Sequence, residues 1–145
     1  GMMHDGGTMD YIEKFEELIN GSDCCFISYI DQFSYPATKA MLMPRERDGV
    51  KTIIFSTNTS SNKVKSFRKN PRASIYFMDR IGYRGLCLSG HIAVDETPEM
   101  RKRIWRNGDE LYYKSGIMDP DYCVLIFTAE RGRYYSNFQS VDFDL

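Results

Sequence analysis

Short apolar runs, separated by turn residues, dominate the middle and the end of the chain. The pattern is clearest in Arg84–Val94, where apolar residues and Gly90 fall on one face and polar or small residues fall on the other. Comparable runs predict six further strands, at Cys24–Ile30, Pro36–Met43, Thr52–Thr57, Ala73–Met78, Cys123–Thr128 and Arg133–Ser136. The last two are expected to form a hairpin over Arg131-Gly132. Six or seven strands with mostly short links predict an antiparallel sheet that closes into a barrel.

Helical spacing of apolar residues occurs in three segments. Asp10–Asn20 ends at Asn20-Gly21, Ser61–Lys69 ends before Pro71, and a third helix runs from Pro98 to about Trp105. The fold class is therefore predicted to be mainly β with a few helices. One domain is expected over residues 10–145, and residues 1–9 are expected to be a disordered N-terminus that includes a remnant of tag cleavage.

Charge is balanced overall but uneven along the chain. Nineteen Lys and Arg face twenty Asp and Glu, for a formal net charge of −1, whereas proteins that bind nucleic acid usually carry a basic excess. The stretch from Gly49 to Met78 has no acidic residue and holds six basic ones: Lys51, Lys63, Lys65, Arg68, Lys69 and Arg72. A short basic stretch on a nearly neutral protein favours a small anionic ligand.

The four cysteines, Cys24, Cys25, Cys87 and Cys123, lack the spacing of a metal site and are expected to be reduced and mostly buried. No apolar run is long enough to span a membrane, and no signal-peptide pattern is visible. We therefore expect a cytoplasmic protein with no membrane partner.

The segment Phe55–Lys63 carries the clearest chemical signal. A strand ends in hydroxyl residues, and a helix then begins within a serine run that has a lysine in its first turn. A helix N-terminus offers unpaired N–H groups and partial positive charge, which suit a phosphate, and Ser60, Ser61 and Lys63 can add donors. If Pro36–Met43 pairs with Thr52–Thr57 through the Asp48-Gly49 turn, then Lys39 supplies a second cation. These residues predict a site for a dianion.

Several short motifs follow one another in a characteristic order. They are Pro-x-x-Lys-x-Met at 36–41, Phe-Ser-Thr at 55–57, Ser-x-Lys at 61–63, Asn-Pro at 70–71 and Gly-x-x-Asp-Pro-x-Tyr at 116–122. In this order they resemble the pyridoxamine 5′-phosphate oxidase-like split barrels, and in particular the small members called general stress protein 26-like. The resemblance extends from Tyr11 to Ser136, and it implies a six- to seven-stranded antiparallel split barrel.

The resemblance also implies FMN bound at the interface of a homodimer. Lys39, Ser61 and Lys63 would hold the phosphate, and Ala40, Met41, Phe55, Ser56 and Thr57 would line the flavin ring. Trp105 and the Tyr134-Tyr135 strand are candidates for a wall contributed by the second subunit. The C-terminal arginine segment of true pyridoxamine phosphate oxidases has no counterpart after Ser136, so oxidation of vitamin B6 is not expected.

Three functions are compatible with the sequence. The first is an FMN-dependent oxidoreductase that exchanges electrons with NAD(P)H and an unknown acceptor, with the flavin carrying the chemistry. The second is a flavin-binding stress or storage protein without turnover. The third, supported by Tyr29, Tyr76, Phe77 and Tyr83 near the basic segment, is a barrel that stacks single-stranded nucleic acid on its aromatics. Replacement of FMN by a deazaflavin or haem also stays open.

Overall fold

The computed structural model describes residues 5–145, with side chains from Tyr11 onward. The elements are α1 (Asp5–Asn20), β1 (Cys24–Ile30), β2 (Pro36–Leu42), β3 (Glu46–Asp48), β4 (Thr52–Asn58), α2 (Asn62–Lys69), β5 (Arg72–Asp79), β6 (Arg84–Asp95), α3 (Pro98–Ile104), β7 (Tyr122–Ser136) and β8 (Gln139–Asp144). Two short 3-10 helices, Asp109–Leu111 and Gly116–Met118, lie between α3 and β7. Helix α1 begins at Asp5 rather than at the predicted Asp10, and residues 1–4 of the segment predicted to be disordered lie outside the described residues.

The strands form one antiparallel sheet with the order β2-β1-β5-β6-β7-β4-β3. Strand β4 pairs with the first part of β7, and β8 pairs with the last part of β7. The predicted class, mainly β with a few helices, is confirmed. The sheet does not close into the complete barrel that the strand pattern predicts, because β2 and β3 stand at opposite ends of the strand order and do not pair. An open, curved sheet of this kind is consistent with the split barrel that the family resemblance implied.

The predicted C-terminal hairpin over Arg131-Gly132 is wrong. Residues Tyr122–Ser136 form one fifteen-residue strand that continues past Gly132, where Gly132 pairs with Leu88. The ring of Phe143 occupies the space that a Cβ at position 132 would fill, so this glycine serves close packing and not a turn. The turn comes later, at Asn137 and Phe138, whose φ angles are 51° and 62°.

The predicted pairing of β2 with β4 is also wrong. Strand β2 pairs with β1 over its whole length, through the loop between Ile30 and Pro36. Strand β4 pairs instead with β3 and β7. The sequence patterns do not reveal β3, of three residues, or β8, of six, and the sheet has eight strands in place of the predicted six or seven.

The core lies between the concave face of the sheet and helices α1 and α2. Its fully buried members include Ile27, Ile75, Phe77, Leu88 and Phe127 from the strands. Phe15 of α1 stacks on Phe143 with ring centroids 4.7 Å apart, and Val64 and Phe67 of α2 close the other side. Among the described residues, no helix combines the length and the apolar character that crossing a membrane would require.

Candidate functional site

A polar cavity of about 510 Å³ opens where the N-terminus of α2 approaches the β1–β2 hairpin. Lys39 reaches the cavity from β2, at one end of the sheet, whereas Thr57 and Lys63 come from β4 and α2. The cavity therefore lies at the split of the barrel. Its lining residues are Tyr29, Lys39, Thr57, Asn58, Ser60, Ser61, Asn62 and Lys63.

Lys63 is the central residue of this cavity. It is only 3% exposed, and its Nζ donates to Ser61 Oγ at 2.8 Å and to Thr57 Oγ1 at 3.4 Å. Burial, together with the nearby charge of Lys39, lowers the pKa of Lys63 from 10.5 to about 8. No side chain in the range 11–145 forms an ion pair with Lys63. A buried cation without a counter-ion is unfavourable, so this arrangement favours an anion taken from solution.

Ser61 connects Lys63 to the start of α2. It is the N-cap of the helix, with an extended backbone, and its Oγ accepts from the Lys63 backbone N–H at 3.2 Å as well as from Lys63 Nζ. Because both contacts use the oxygen as an acceptor, the hydroxyl proton of Ser61 stays available for a ligand. The partial positive charge of the helix N-terminus acts in the same direction as the lysine.

The loop from Asn58 to Ser61 is held from behind by a distant part of the chain. The backbone N–H groups of Thr59 and Ser60 donate to Asp121, at 2.7 Å to its carbonyl and 2.8 Å to its carboxylate. The hydroxyl of Tyr113 donates to Asn58 Oδ1 at 2.8 Å. Burial raises the pKa of Tyr113 to about 12, which keeps this hydroxyl protonated. These contacts fix the loop before any ligand arrives.

Sequence reasoning missed the supporting residues Tyr113 and Asp121, because nothing in the local pattern connects them to a loop more than fifty residues earlier. It also missed Tyr29 and Asn62 as lining residues of the cavity. Asn62 could have been found, since it is the first residue of the predicted helix after the Ser61 cap.

The residues predicted to hold the phosphate, Lys39, Ser61 and Lys63, line the same cavity. Lys39 reaches it from a strand that pairs with β1 and not, as predicted, with β4. Lys39 shares a face of β2 with Met41, which packs against the core. Thr57 lines the cavity, and Phe55, on the same face of β4, is buried in the core. Ala40 and Ser56 lie on the opposite faces of their strands and do not line the cavity in this chain.

Trp105 lies behind the loop. Its ring packs edge-on against Tyr122 at 5.2 Å and lies 6.3 Å from Tyr113, so within its own chain it anchors the end of α3. Of the two tyrosines proposed for a wall from the second subunit, Tyr134 is buried against Tyr11 and Phe15. Tyr135 is half-buried and meets Tyr83 at 6.2 Å.

The four aromatics proposed to stack nucleic acid do not share one surface. Phe77 is fully buried in the core, and Tyr29 contacts Phe67 beside the cavity. Tyr76 and Tyr83 are on the outer side, 37% and 65% exposed. Because stacking of successive bases needs neighbouring exposed rings, this placement gives that hypothesis no support.

Comparison with known proteins shows the family to which this chain belongs. The sequence matches the family described as "Pyridoxamine 5′-phosphate oxidase like" over residues 10–143, nearly the whole chain. The protein is a member of this family of split barrels, which confirms the family that the motifs predicted. The comparison with curated proteins found no match.

Solved structures place it within the family. A Clostridium acetobutylicum protein, described as related to general stress protein 26 of B. subtilis, is 35% identical, with a TM-score of 0.84 over 94% of this chain and 95% of that one. General stress protein 26 from Bacillus anthracis is 16% identical, with a TM-score of 0.73 over 91% and 98%. A Nostoc punctiforme protein described as pyridoxamine 5′-phosphate oxidase-related and FMN binding is 13% identical, with a TM-score of 0.66 over 91% and 83%. The last two share the fold.

Proposed function

We propose that this protein binds FMN, with the phosphate of the cofactor at Lys63, Ser61 and Lys39. The observation that carries the proposal is the buried ammonium group of Lys63, which has no ion-pair partner among the side chains of residues 11–145 and lies beside a second lysine at a helix N-terminus. Two cations, one free hydroxyl proton and a helix N-terminus match the charge and the acceptor oxygens of a phosphate monoester. The description of a Nostoc relative with this fold as FMN binding supports the same assignment.

The other predicted residues then have distinct roles. Thr57 borders the cavity through its side chain, and Met41 lies on the same face of β2 as Lys39. Both would line the flavin, together with the backbone of β4. A bound flavin supplies hydride and single-electron transfer, and the chain contributes binding, orientation and electrostatics. We propose that the protein is an oxidoreductase that uses NAD(P)H. We also propose that it acts in the cytoplasm, because its four cysteines are free thiols and thiols stay reduced in that compartment.

A visible absorption spectrum, taken after incubation with FMN and desalting, tests cofactor binding. We expect a flavin spectrum that stays with the protein at a stoichiometry near one per chain. A protein that elutes colourless from this experiment would contradict the proposal. A Soret band after incubation with haem, without retained FMN, would assign the cavity to haem instead. Incubation with a deazaflavin in the same protocol tests the remaining alternative: a deazaflavin retained after desalting, without retained FMN, would assign the cavity to that cofactor.

Anaerobic addition of NADH or NADPH to the FMN complex separates an enzyme from a storage protein. An oxidoreductase is expected to lose the flavin absorbance in the visible range within seconds to minutes, because hydride transfer reduces the ring. A flavin that remains oxidised over hours with both nucleotides would favour the non-catalytic alternative.

We also propose that the protein is a homodimer whose contact is the outer face of β1, β2 and β5. Phe26 pairs with Ala40 on one side and with Tyr76 on the other, which places an apolar row across these strands. Phe26 is 40% exposed and Leu42, further along β2, is 83% exposed. Exposed apolar patches of this kind mark protein contacts, and family members are expected to hold the flavin between two subunits.

Replacing Phe26 by glutamate is expected to convert the dimer to a monomer, because a charge would be buried in the contact. Light scattering of the FMN-loaded protein gives the mass directly. The matched control is Tyr112→Glu, at a site 81% exposed outside this face, which should remain dimeric. A monomeric mass for the unmodified protein would contradict the proposal.

A further inference from the structure

The sequence motif at 116–122, Gly-x-x-Asp-Pro-x-Tyr, forms a compact support behind the loop 58–61. The carboxylate of Asp119 accepts from the backbone N–H groups of Ser115 at 3.1 Å and Asp121 at 2.9 Å. Hydrogen bonds of this kind, from nearby backbone N–H groups to a side-chain oxygen, stabilise turns. The carboxylate of Asp119 therefore folds the motif on itself and fixes the backbone at Asp121.

A buried arginine of α3 holds the same motif. Arg101 is 5% exposed, and its guanidinium donates to the carbonyl oxygens of Asp119 at 2.7 Å and Ile117 at 3.1 Å. It also donates to the carbonyl oxygen of Glu96 at 2.8 Å. Arg101 forms no ion pair with any side chain in the range 11–145, so these carbonyl groups are what compensates its charge. The guanidinium therefore ties the motif to the chain just before α3.

Asp121 connects this motif to the loop 58–61 through two hydrogen bonds. Its carbonyl accepts from the backbone N–H of Thr59 at 2.7 Å, and its carboxylate accepts from the backbone N–H of Ser60 at 2.8 Å. The two bonds extend the pairing of β4 with β7 beyond the end of the ladder. Because these two N–H groups are occupied, the loop meets an anion in the cavity with its side chains.

The charge of Asp121 acts against an anion bound in the neighbouring cavity. No side chain in the range 11–145 forms an ion pair with this carboxylate, so its charge is not neutralised there. A negative charge close to a phosphate weakens binding by repulsion. The contribution of Asp121 to the site is therefore geometric, and geometry can be separated from charge by substitution.

We propose that Asp121 is a positioning residue of the phosphate site, which holds the loop 58–61 in the geometry that Lys63 needs to bind a phosphate monoester. The inference rests on the proposed FMN function, since that function places the phosphate at this loop. Without the two bonds from Asp121 the ligand itself would have to order the loop, and ordering a segment on binding reduces affinity. The motif at 116–122 thereby acquires a role in ligand binding although only its support of the loop reaches the cavity.

Two substitutions of Asp121 in the full chain separate the acceptor oxygen from the charge. Asp121→Ala removes both, and we expect FMN to bind about tenfold more weakly because the loop is no longer ordered in advance. Asp121→Asn keeps an acceptor oxygen and removes the charge. We expect this variant to bind FMN as tightly as the unmodified protein or more tightly. Fluorescence quenching of FMN on titration with each protein gives the dissociation constants.

Phosphorus NMR of the FMN-saturated protein distinguishes positioning from a general loss of stability. At saturation the phosphorus resonance reports the ionisation and the hydrogen bonds of the bound phosphate. In Asp121→Ala it should move towards the position of free FMN, while the visible spectrum of the bound flavin stays the same. In Asp121→Asn it should remain where it is in the unmodified protein.

The matched control is Asp79→Ala, in the turn between β5 and β6. The carboxylate of Asp79 accepts from the backbone N–H groups of Ile81 and Gly82 at 3.1 Å each, and it also pairs with Arg84. It does not line the cavity. Asp79→Ala should therefore lower the temperature of thermal unfolding and leave both the FMN affinity and the phosphorus resonance unchanged.

Two results would overturn the positioning role. One is a phosphorus resonance that stays in place in Asp121→Ala, and the other is an Asp121→Asn variant that binds FMN as weakly as Asp121→Ala. If Asp121→Ala does not fold, Asp121→Glu replaces it, since the longer side chain displaces the acceptor, and the same results are expected. Failure of the unmodified protein to bind FMN would instead reject the proposed function on which the inference rests.

Discussion

Replacing Lys63 by methionine is expected to weaken FMN binding by about ten- to a hundredfold. A hydrogen bond between an ammonium group and a phosphate oxygen contributes about 1.5–3 kcal/mol, and each 1.4 kcal/mol is a factor of ten. Methionine keeps most of the length and apolar volume of the lysine stem, so the buried position stays filled. Fluorescence quenching of FMN on titration with the protein gives the dissociation constant.

The same substitution is expected to stabilise the protein without cofactor. It removes a buried charge that lies close to Lys39 and has no ion-pair partner within residues 11–145. Thermal unfolding without FMN should therefore shift upward, while the upward shift that FMN causes in the unmodified protein should shrink. Lys102→Met, at an exposed position of α3, should change neither quantity. Unchanged FMN affinity in Lys63→Met would show that the phosphate binds elsewhere.

FMN binding is expected to be tightest between about pH 6 and pH 8. A phosphate monoester keeps its second negative charge above about pH 6. The pKa of Lys63 is lowered to about 8, so above this pH the cofactor-free protein increasingly holds a neutral lysine that must take up a proton to pair with the phosphate. Affinity should then fall by up to about tenfold per pH unit above pH 8. Titrations from pH 5 to pH 10 should show this decline in the unmodified protein and not in Lys63→Met.

The stability of the cofactor-free protein should respond in the opposite sense. Because the pKa of Lys63 is lower in the folded state than its ordinary value of 10.5, the unfolded chain binds more protons between about pH 8 and 10.5. Lys63 therefore adds stability as pH rises through this window, by about 3 kcal/mol at most. Burial raises the pKa values of Cys25 and Tyr113 to about 12, and these groups act the other way at high pH. The difference in unfolding free energy between the unmodified protein and Lys63→Met isolates the lysine, and a pH-independent difference would contradict its lowered pKa.

Local patterns predicted the elements that depend on neighbouring residues. Strand β1 has the predicted bounds, and α2 differs only in that Ser61, its predicted start, is the N-cap. Capping, apolar alternation and the Asn-Pro stop are short-range effects, so the sequence displays them directly. Predictions were wrong where a residue typical of turns is present for a long-range packing reason. The sequence predicts a turn at Gly132, whereas this glycine makes room for the ring of Phe143 within a continuous strand.

Strand pairing could not be predicted in the same way. The turn at Asp48-Gly49 suggested that β2 and β4 pair, but it leads only from the short β3 into β4. The hairpin of β1 with β2 leaves β2 at the end of the sheet, and the curvature of the sheet then brings Lys39 to the first turn of α2. Lys39 therefore lies beside Lys63 as predicted, but the cause is the curvature of the sheet and not a pairing of β2 with β4.

By itself the sequence determined the class of fold and the types of side chain at the cavity, because both follow from residue order and spacing. The tertiary structure decided which distant groups support these side chains, such as Asp121 and Tyr113 behind the loop. It also decided that Lys63 is buried without a carboxylate in its reach among the described residues. Burial and missing counter-charge depend on how the two sides of the split barrel meet, and that contact joins segments far apart in the chain.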